Sequence, residues 1–160
     1  DLIELRGTYS YLPAHQSWTL VDYVARLLTA ARDTLARWAD ASRAEGDGLR
    51  LEKKGKVLSV TFRQADLNAA LGPALGAKPD IVTASAFFDL CSPEFIGRLV
   101  SAVAERKAVF FTVLTYNGQQ QWTPAHPADS LMLRAFTAHQ AGDKLSLPAA
   151  SRSDTQRIAT

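Results

Sequence analysis

Apolar residues fall into short continuous runs that alternate with longer segments in which they recur every three or four positions. Runs of strand length occupy residues 17–22, 49–52, 57–63, 80–84 and 108–116. Residues 2–5 are predicted to be the tail of a further strand. Helical spacing covers residues 24–43, 66–75, 92–106 and 127–140. In the first of these helices the apolar stripe runs from Leu27 to Trp38.

Local turn signals place the boundaries of several elements. A turn containing Gly55 separates two strand runs and predicts a β-hairpin. The pair Asn117-Gly118 is the strongest short hairpin signal in the chain and predicts a second one. Ser92 followed by Pro93 predicts a helix start, since serine caps helices and proline is favoured at the first helical position.

The order of elements, β-α-β-β-α-β, predicts an α/β fold. Strand runs without clean alternation of apolar and polar positions are typical of a parallel sheet with helices on both faces. We therefore predict a Rossmann-like, mostly parallel sheet that lacks its last strands. Residues 1–144 are assigned to this domain, and residues 145–160 to an irregular tail. Ligands of such sheets bind beyond the carboxyl ends of the strands, which makes those positions the candidates for a site.

Composition and charge narrow the class of protein. The 160 residues are 47% hydrophobic and 21% charged, which is ordinary for one globular domain. The net charge of +2 is spread evenly along the chain, so the sequence shows no basic patch of the kind that binds nucleic acid. The single cysteine, Cys91, can form no internal disulfide, which favours a reducing compartment. The sequence shows neither a signal peptide nor a membrane span, so we expect a cytoplasmic protein without membrane partners.

Three strand ends carry residues suited to binding a nucleoside. Asp22 can accept hydrogen bonds from both hydroxyls of a ribose, and it can equally cap the helix that follows. Asp66 can accept a hydrogen bond from an exocyclic amine such as adenine N6, or cap the next helical turn. Ser85 and Ala86 are small enough for a flat ligand to pass close to them, although tight packing explains small residues as well.

Other chemistries lack their signatures. His15, His126 and His139 do not show metal-ligand spacing, and Cys91 has no partner, so no zinc site is expected. There is no Gly-x-Ser-x-Gly elbow and no phosphate-binding loop ending in Gly-Lys-Ser/Thr, which disfavours a hydrolase and a nucleoside triphosphatase. An NAD-dependent oxidoreductase would share the acid at the second strand, but it would also need a glycine-rich turn.

The ordered set of segments resembles the class I S-adenosylmethionine-dependent methyltransferases of bacteria. The resemblance is carried by Trp-Thr-Leu-Val-Asp-Tyr at residues 18–23, Thr-Phe-Arg-Gln-Ala-Asp-Leu at 61–67, and Asp-Ile-Val-Thr-Ala-Ser-Ala-Phe-Phe-Asp-Leu at 80–90. It extends over residues 18–144. It implies S-adenosyl-L-methionine as the cofactor and transfer of its methyl group to an acceptor that we expect to be a small molecule. The identity of the acceptor and the oligomeric state stay open.

The resemblance also implies roles for individual residues. The second-strand acid would bind the ribose, the third strand end would lie by the adenine, and the fourth would line the cofactor. The implied cofactor-binding residues are Gly7, Asp22, Tyr23, Ala65, Asp66, Leu67, Ser85 and Ala86. Phe87, Tyr116 and His139 are placed on the substrate side. No catalytic base is assigned, and the candidates are Asp89, Tyr116, His139 and Asp143.

The first loop departs from the pattern of this family. The family has an acid-x-Gly-x-Gly-x-Gly turn, in which missing Cβ atoms let the backbone approach the methionine end of the cofactor. The corresponding stretch, residues 1–10, contains one glycine, Gly7. Two explanations stay open: the site is degenerate, or loop residues are absent from this chain, which we expect to be a piece of a longer protein. A degenerate site would leave a non-catalytic, methyltransferase-like domain that serves as a binding or scaffold module.

Overall fold

The computed structural model describes residues 2–88, 91–113 and 120–142, the last four of these by their backbone alone. The chain forms two compact units, Asp1–Pro79 and Asp80–Thr160. The described elements of the first unit are α1 (Leu2–Thr8), β1 (His15–Asp22), α2 (Ala25–Trp38), β2 (Ala41–Glu45), β3 (Gly48–Lys53), β4 (Lys56–Gln64) and α3 (Leu67–Leu75). Those of the second unit are β5 (Ile81–Thr83), α4 (Pro93–Glu105), β6 (Val109–Phe111) and α5 (Asp129–Gly142).

The first unit contains a four-stranded mixed sheet in the order β1-β4-β3-β2. Strands β1 and β4 are parallel, whereas β3 pairs antiparallel with both β4 and β2. The predicted α/β class is therefore confirmed, but this sheet is not mostly parallel, and a Rossmann-like arrangement is not confirmed. The hairpin predicted around Gly55 is the reason for one antiparallel pair. A second hairpin, between β2 and β3, supplies the other.

Strand β2 replaces the end of a predicted helix. Residues 24–43 were expected to be helical, but α2 ends at Trp38 and residues 41–45 form the edge strand. Trp38 is the last residue of the apolar stripe, so nothing favours burial of a further helical turn. The side chain of Asp40 instead accepts hydrogen bonds from Lys53 Nζ and from the Lys54 amide, both at 2.7 Å, which fixes the chain beside β3.

Helix α1 replaces the strand predicted at residues 2–5. Leu2 and Leu5 of this helix and Tyr9 directly after it follow a helical spacing, with Leu5 completely buried and Tyr9 8% exposed. The Tyr9 ring meets Trp38 of α2 edge-to-face, with 4.8 Å between ring centroids. A segment of four residues is too short for periodicity to distinguish a strand from the first turn of a helix, which explains the wrong prediction.

The core of the first unit lies between one face of the sheet and helices α1 and α2. The buried cluster consists of Leu5, Tyr9, Leu20, Leu35, Leu49, Leu51, Leu58 and Val60. Alternate residues of the strands point to the opposite face, which includes the exposed side chains of Ser17, Arg43 and Thr61. The sheet is thus apolar on one face and polar on the other, as antiparallel pairing permits. Helices α1 and α2 cover the apolar face, and the expectation of helices on both faces is not confirmed.

The second unit pairs β5 and β6 as two parallel strands, with Ile81 opposite Val109. Helix α4 begins as predicted: Ser92 is its N-cap and accepts a hydrogen bond from the Phe95 amide. Strand β6 lies within the strand predicted at residues 108–116 and is exposed, and residues 114–116 lie outside the described residues. Helix α5 confirms the helix predicted at residues 127–140. The Asn117-Gly118 turn and residues 145–160 lie outside the described residues.

Candidate functional site

The carboxyl ends of β1 and β4 meet at one edge of the first sheet. The parallel register sets Asp22 opposite Gln64, and the Ala65 amide donates a hydrogen bond to the Asp22 carbonyl oxygen at 3.0 Å. The Gln64 side chain reaches back across the two strands and donates from Nε2 to the carbonyl oxygen of Tyr23 at 3.0 Å. The two predicted segments, residues 22–23 and 65–67, are therefore neighbours at this edge.

Asp22 shapes the turn that leads from β1 into α2. One of its carboxylate oxygens, Oδ1, accepts a hydrogen bond from the Val24 amide at 2.9 Å. Val24, rather than Asp22, occupies the N-cap position of α2, and no side chain caps that helix. The alternative interpretation of Asp22 as the helix cap is therefore wrong in detail. Asp22 closes an Asx turn one step before the helix and remains half-buried at the strand end.

Asp66 is the N-cap of α3, as one of the two interpretations of the sequence predicts. Its Oδ1 accepts a hydrogen bond from the Asn68 amide at 2.8 Å. Leu67 is the first residue of this helix and, like Asp66, is half-buried. A carboxylate offers about four acceptor positions, so a hydrogen bond to one backbone amide does not exhaust its capacity to bind a ligand.

Tyr23 and Ala65 complete this edge. The Tyr23 side chain is 43% exposed beside the turn made by Asp22, and Ala65 is half-buried between β4 and α3. Four hydrogen bonds thus fix the backbone around the two carboxylates, each made by a neighbouring residue of the same edge. A ligand at this edge would meet two acidic side chains on a preformed backbone.

Gly7 does not form a turn beside these residues. It lies inside α1, and a Cβ built on it meets no atom within 4 Å. The expectation that Gly7 belongs to a loop after a strand is therefore wrong. Because its backbone is helical and its surroundings are open, this position has no structural need for glycine.

The predicted residues after β5 form a separate group in the second unit. Ala86 has a positive φ of 51°, and its amide donates to the Val113 carbonyl oxygen at 3.2 Å. Ser85 is half-buried before this turn. Phe87 follows it, with its ring 5.8 Å from that of Phe95. Cys91 Sγ donates to the Phe87 carbonyl oxygen at 3.3 Å. No pattern in the sequence predicts the left-handed conformation of Ala86, which non-glycine residues seldom adopt.

The remaining candidates contribute no described side chain. Tyr116, Asp89 and Asp143 lie outside the described residues, and only the backbone of His139 is described, within α5. Among the residues that the structure describes, no three histidine, cysteine or acidic side chains group together as a metal site would require. Within the same part of the chain, every helix is too short or too polar to cross a bilayer.

Comparisons with known proteins assign no family to this chain. No protein-family model, curated protein or solved structure matches it.

Proposed function

We propose that this chain binds S-adenosyl-L-methionine and transfers its methyl group to a small-molecule acceptor. The observation that carries the proposal is the juxtaposition of Asp22 and Asp66 at the carboxyl ends of two adjacent parallel strands. Ligands of α/β sheets bind where parallel strands end. The ribose role of Asp22 is what the resemblance implies for a second-strand acid, whereas in this fold Asp22 ends the first described strand, β1.

In this proposal the two carboxylates bind different parts of the nucleoside. Asp22 binds the ribose hydroxyls, and Asp66 accepts from the exocyclic amine of adenine, with Ala65 and Leu67 against the ring. Tyr23 supplies a partly exposed aromatic surface beside the ribose acid. The cytoplasmic location and the absence of nucleic-acid partners stay part of the proposal.

Methyl transfer requires the protein mainly to position the cofactor and the acceptor. The bound cofactor supplies a methyl group on a sulfonium sulfur, which a nucleophile displaces in line. The side chains at the strand ends hold the reactants in register and exclude water, which is where the rate gain arises. No described side chain is assigned as a general base.

The first helix favours a second candidate function. The two acids fit a nucleoside, but Gly7 lies in α1, and no glycine-rich turn is described ahead of β1 to hold the methionine end of the cofactor. A chain that keeps the nucleoside edge and lacks that turn would bind the cofactor weakly or not at all. It would then act as a non-catalytic binding or scaffold module.

Calorimetric titration with S-adenosylhomocysteine separates the two candidates. We expect micromolar binding by the wild-type chain. We expect binding weaker by about tenfold or more in Asp22→Asn, because a hydrogen bond to a charged group contributes about 1.5–3 kcal/mol. The asparagine keeps a side-chain oxygen for the Val24 amide, so the turn should survive. Asp33→Asn on the exposed face of α2 removes the same charge and serves as the control.

Each outcome has a distinct meaning. Loss of affinity in Asp22→Asn but not in Asp33→Asn supports the cofactor site. A folded wild-type chain that binds no S-adenosylhomocysteine would reject the enzyme and favour the module. Equal affinity of Asp22→Asn and wild type would remove Asp22 from the site.

A further inference from the structure

One row of residues crosses the whole polar face of the first sheet. The registers of the three strand pairs align Ser17, Ser59, Arg50 and Arg43 on β1, β4, β3 and β2 in that order. Residues directly opposite each other in a sheet point to the same face, with Cβ atoms about 5 Å apart. The Cβ atoms of two arginines and two serines therefore form one row, on the face opposite the apolar core.

Arg43 and Arg50 carry the same charge and lie directly opposite each other. Like charges directly opposite each other on antiparallel strands are destabilising. The Nε atom of Arg50 is buried and has no hydrogen-bond partner among the described residues. The side chain of Arg43 is exposed and makes no ion pair or hydrogen bond within the part of the chain that the structure describes. An anion between them would relieve the repulsion and use the unpaired donors.

Glu45 partly fills the role of that anion. Its Oε2 accepts a hydrogen bond from Ser59 Oγ at 3.0 Å, while its Oε1 lies 3.8 Å from Arg50 Nη1, beyond hydrogen-bond distance. The other acid on this face, Glu52, lies two residues from Arg50 along β3 and is exposed.

We infer that the Ser17–Ser59–Arg50–Arg43 row is a binding site for a phosphate group. A phosphate is bound by the guanidinium groups of Arg50 and Arg43 and accepts from the Ser59 hydroxyl in place of Glu45. The Arg50 side chain is 31% exposed, so its buried Nε becomes available when the side chain rotates and Glu45 moves aside. This site lies on the opposite face of the sheet from α1 and α2 and does not depend on the proposed methyl transfer.

Titration of the 160-residue chain with inorganic phosphate tests the site. The readout is the set of arginine Nε–H resonances in nitrogen-15 NMR spectra, near neutral pH and at constant ionic strength. We expect saturable shifts of the Arg50 and Arg43 resonances. Arg43→Ala should weaken binding about tenfold, because it removes one of two charge-assisted partners. Arg50→Lys should weaken it as well, since lysine keeps the charge and loses the planar fork.

Two further variants make the test specific. Glu45→Gln removes the competing carboxylate and should tighten binding about fivefold, the size of one charge a few ångströms away in water. Arg37→Ala removes an exposed arginine from α2 and should leave the affinity unchanged. Glycerol phosphate in a parallel titration separates the sources: tighter binding than inorganic phosphate identifies a phosphoester ligand, and equal binding identifies the free ion.

The inference fails under clear conditions. Absence of saturable shifts in the wild-type chain with both probes would overturn it. Binding that survives Arg43→Ala and Arg50→Lys, or that falls equally in Arg37→Ala, would show nonspecific attraction and would also overturn it. A circular dichroism spectrum of each variant establishes that the sheet is intact.

Discussion

Gly48 is the position where the first unit tolerates no side chain. It begins β3, and a Cβ built on it lies 2.2 Å from the Val60 carbonyl oxygen and 3.1 Å from the Val60 carbonyl carbon. Both atoms belong to the backbone of β4, so no rotamer change relieves the contact. In Gly48→Ala, β3 and β4 must separate at this end by roughly 1 Å before the contact becomes ordinary.

The cost follows from what that separation disturbs. Overpacking a well-packed site costs about 1–3 kcal/mol. Weakening backbone hydrogen bonds of the sheet adds about 1 kcal/mol. The Gly48 carbonyl oxygen also accepts from Arg32 Nη1 at 3.2 Å, a contact that moves with the strand. We therefore expect Gly48→Ala to lower the free energy of unfolding by about 2–4 kcal/mol, a large share of a typical total of about 5–15.

Urea denaturation followed by tryptophan fluorescence measures this change. Gly97→Ala is the matched control, because Gly97 lies within α4 and a Cβ there meets no atom within 4 Å. That substitution should stabilise the helix by about 0.5–1 kcal/mol, since alanine loses less backbone entropy than glycine. A Gly48→Ala variant as stable as wild type would refute the placement of β3 against β4.

Two more predictions concern contacts of the first unit. Arg32 lies 4.8 Å over the Phe62 ring and donates to the carbonyl oxygens of Asp47 and Gly48, so Arg32→Ala should cost about 1–3 kcal/mol in urea denaturation. The contradicting result is a loss no greater than that of Arg37→Ala. The Lys53 ammonium and then the Lys54 amide lower the pKa of Asp40 from 3.8. The ionised Asp40 carboxylate therefore stabilises the folded state above its ordinary pKa, and this contribution is lost as pH falls through the depressed pKa. The melting temperature of wild type should fall more between about pH 5 and pH 2.5 than that of Asp40→Asn, and parallel curves would refute the contact.

Elements with a local signal could be predicted from the sequence. The turn at Gly55 between two strand runs correctly predicts the hairpin of β3 and β4. Ser92 and Pro93 mark the start of α4 correctly, because an N-cap hydroxyl and a fixed φ act within one turn. Such signals depend on a few neighbouring residues, which is why they survive without knowledge of the tertiary structure.

Elements defined by long-range pairing could not be predicted. Strand β2 is exposed along its whole length and therefore shows no alternation of apolar and polar residues. It is held in the sheet by its antiparallel pairing with β3. The row that joins Arg43, Arg50 and Ser59 depends on registers between separate strands, which no single segment encodes.

The candidate site was predicted in part. The acids at residues 22 and 66 were placed at strand ends, and the strand ends do meet. The helical conformation around Gly7 was missed because residues 2–5 are too few for periodicity to separate a strand from a helical turn. The positive φ of Ala86 was missed because it leaves no pattern in the sequence.

The central claim is that a nucleoside binds where β1 and β4 end. The most direct test is a nitrogen-15 NMR titration of the chain with S-adenosylhomocysteine, which reports each backbone amide separately. We predict the largest saturable shifts at the Val24 and Asn68 amides, whose hydrogen bonds hold the two carboxylates. Shifts confined to other parts of the chain, or no shifts in a folded protein, would contradict the claim.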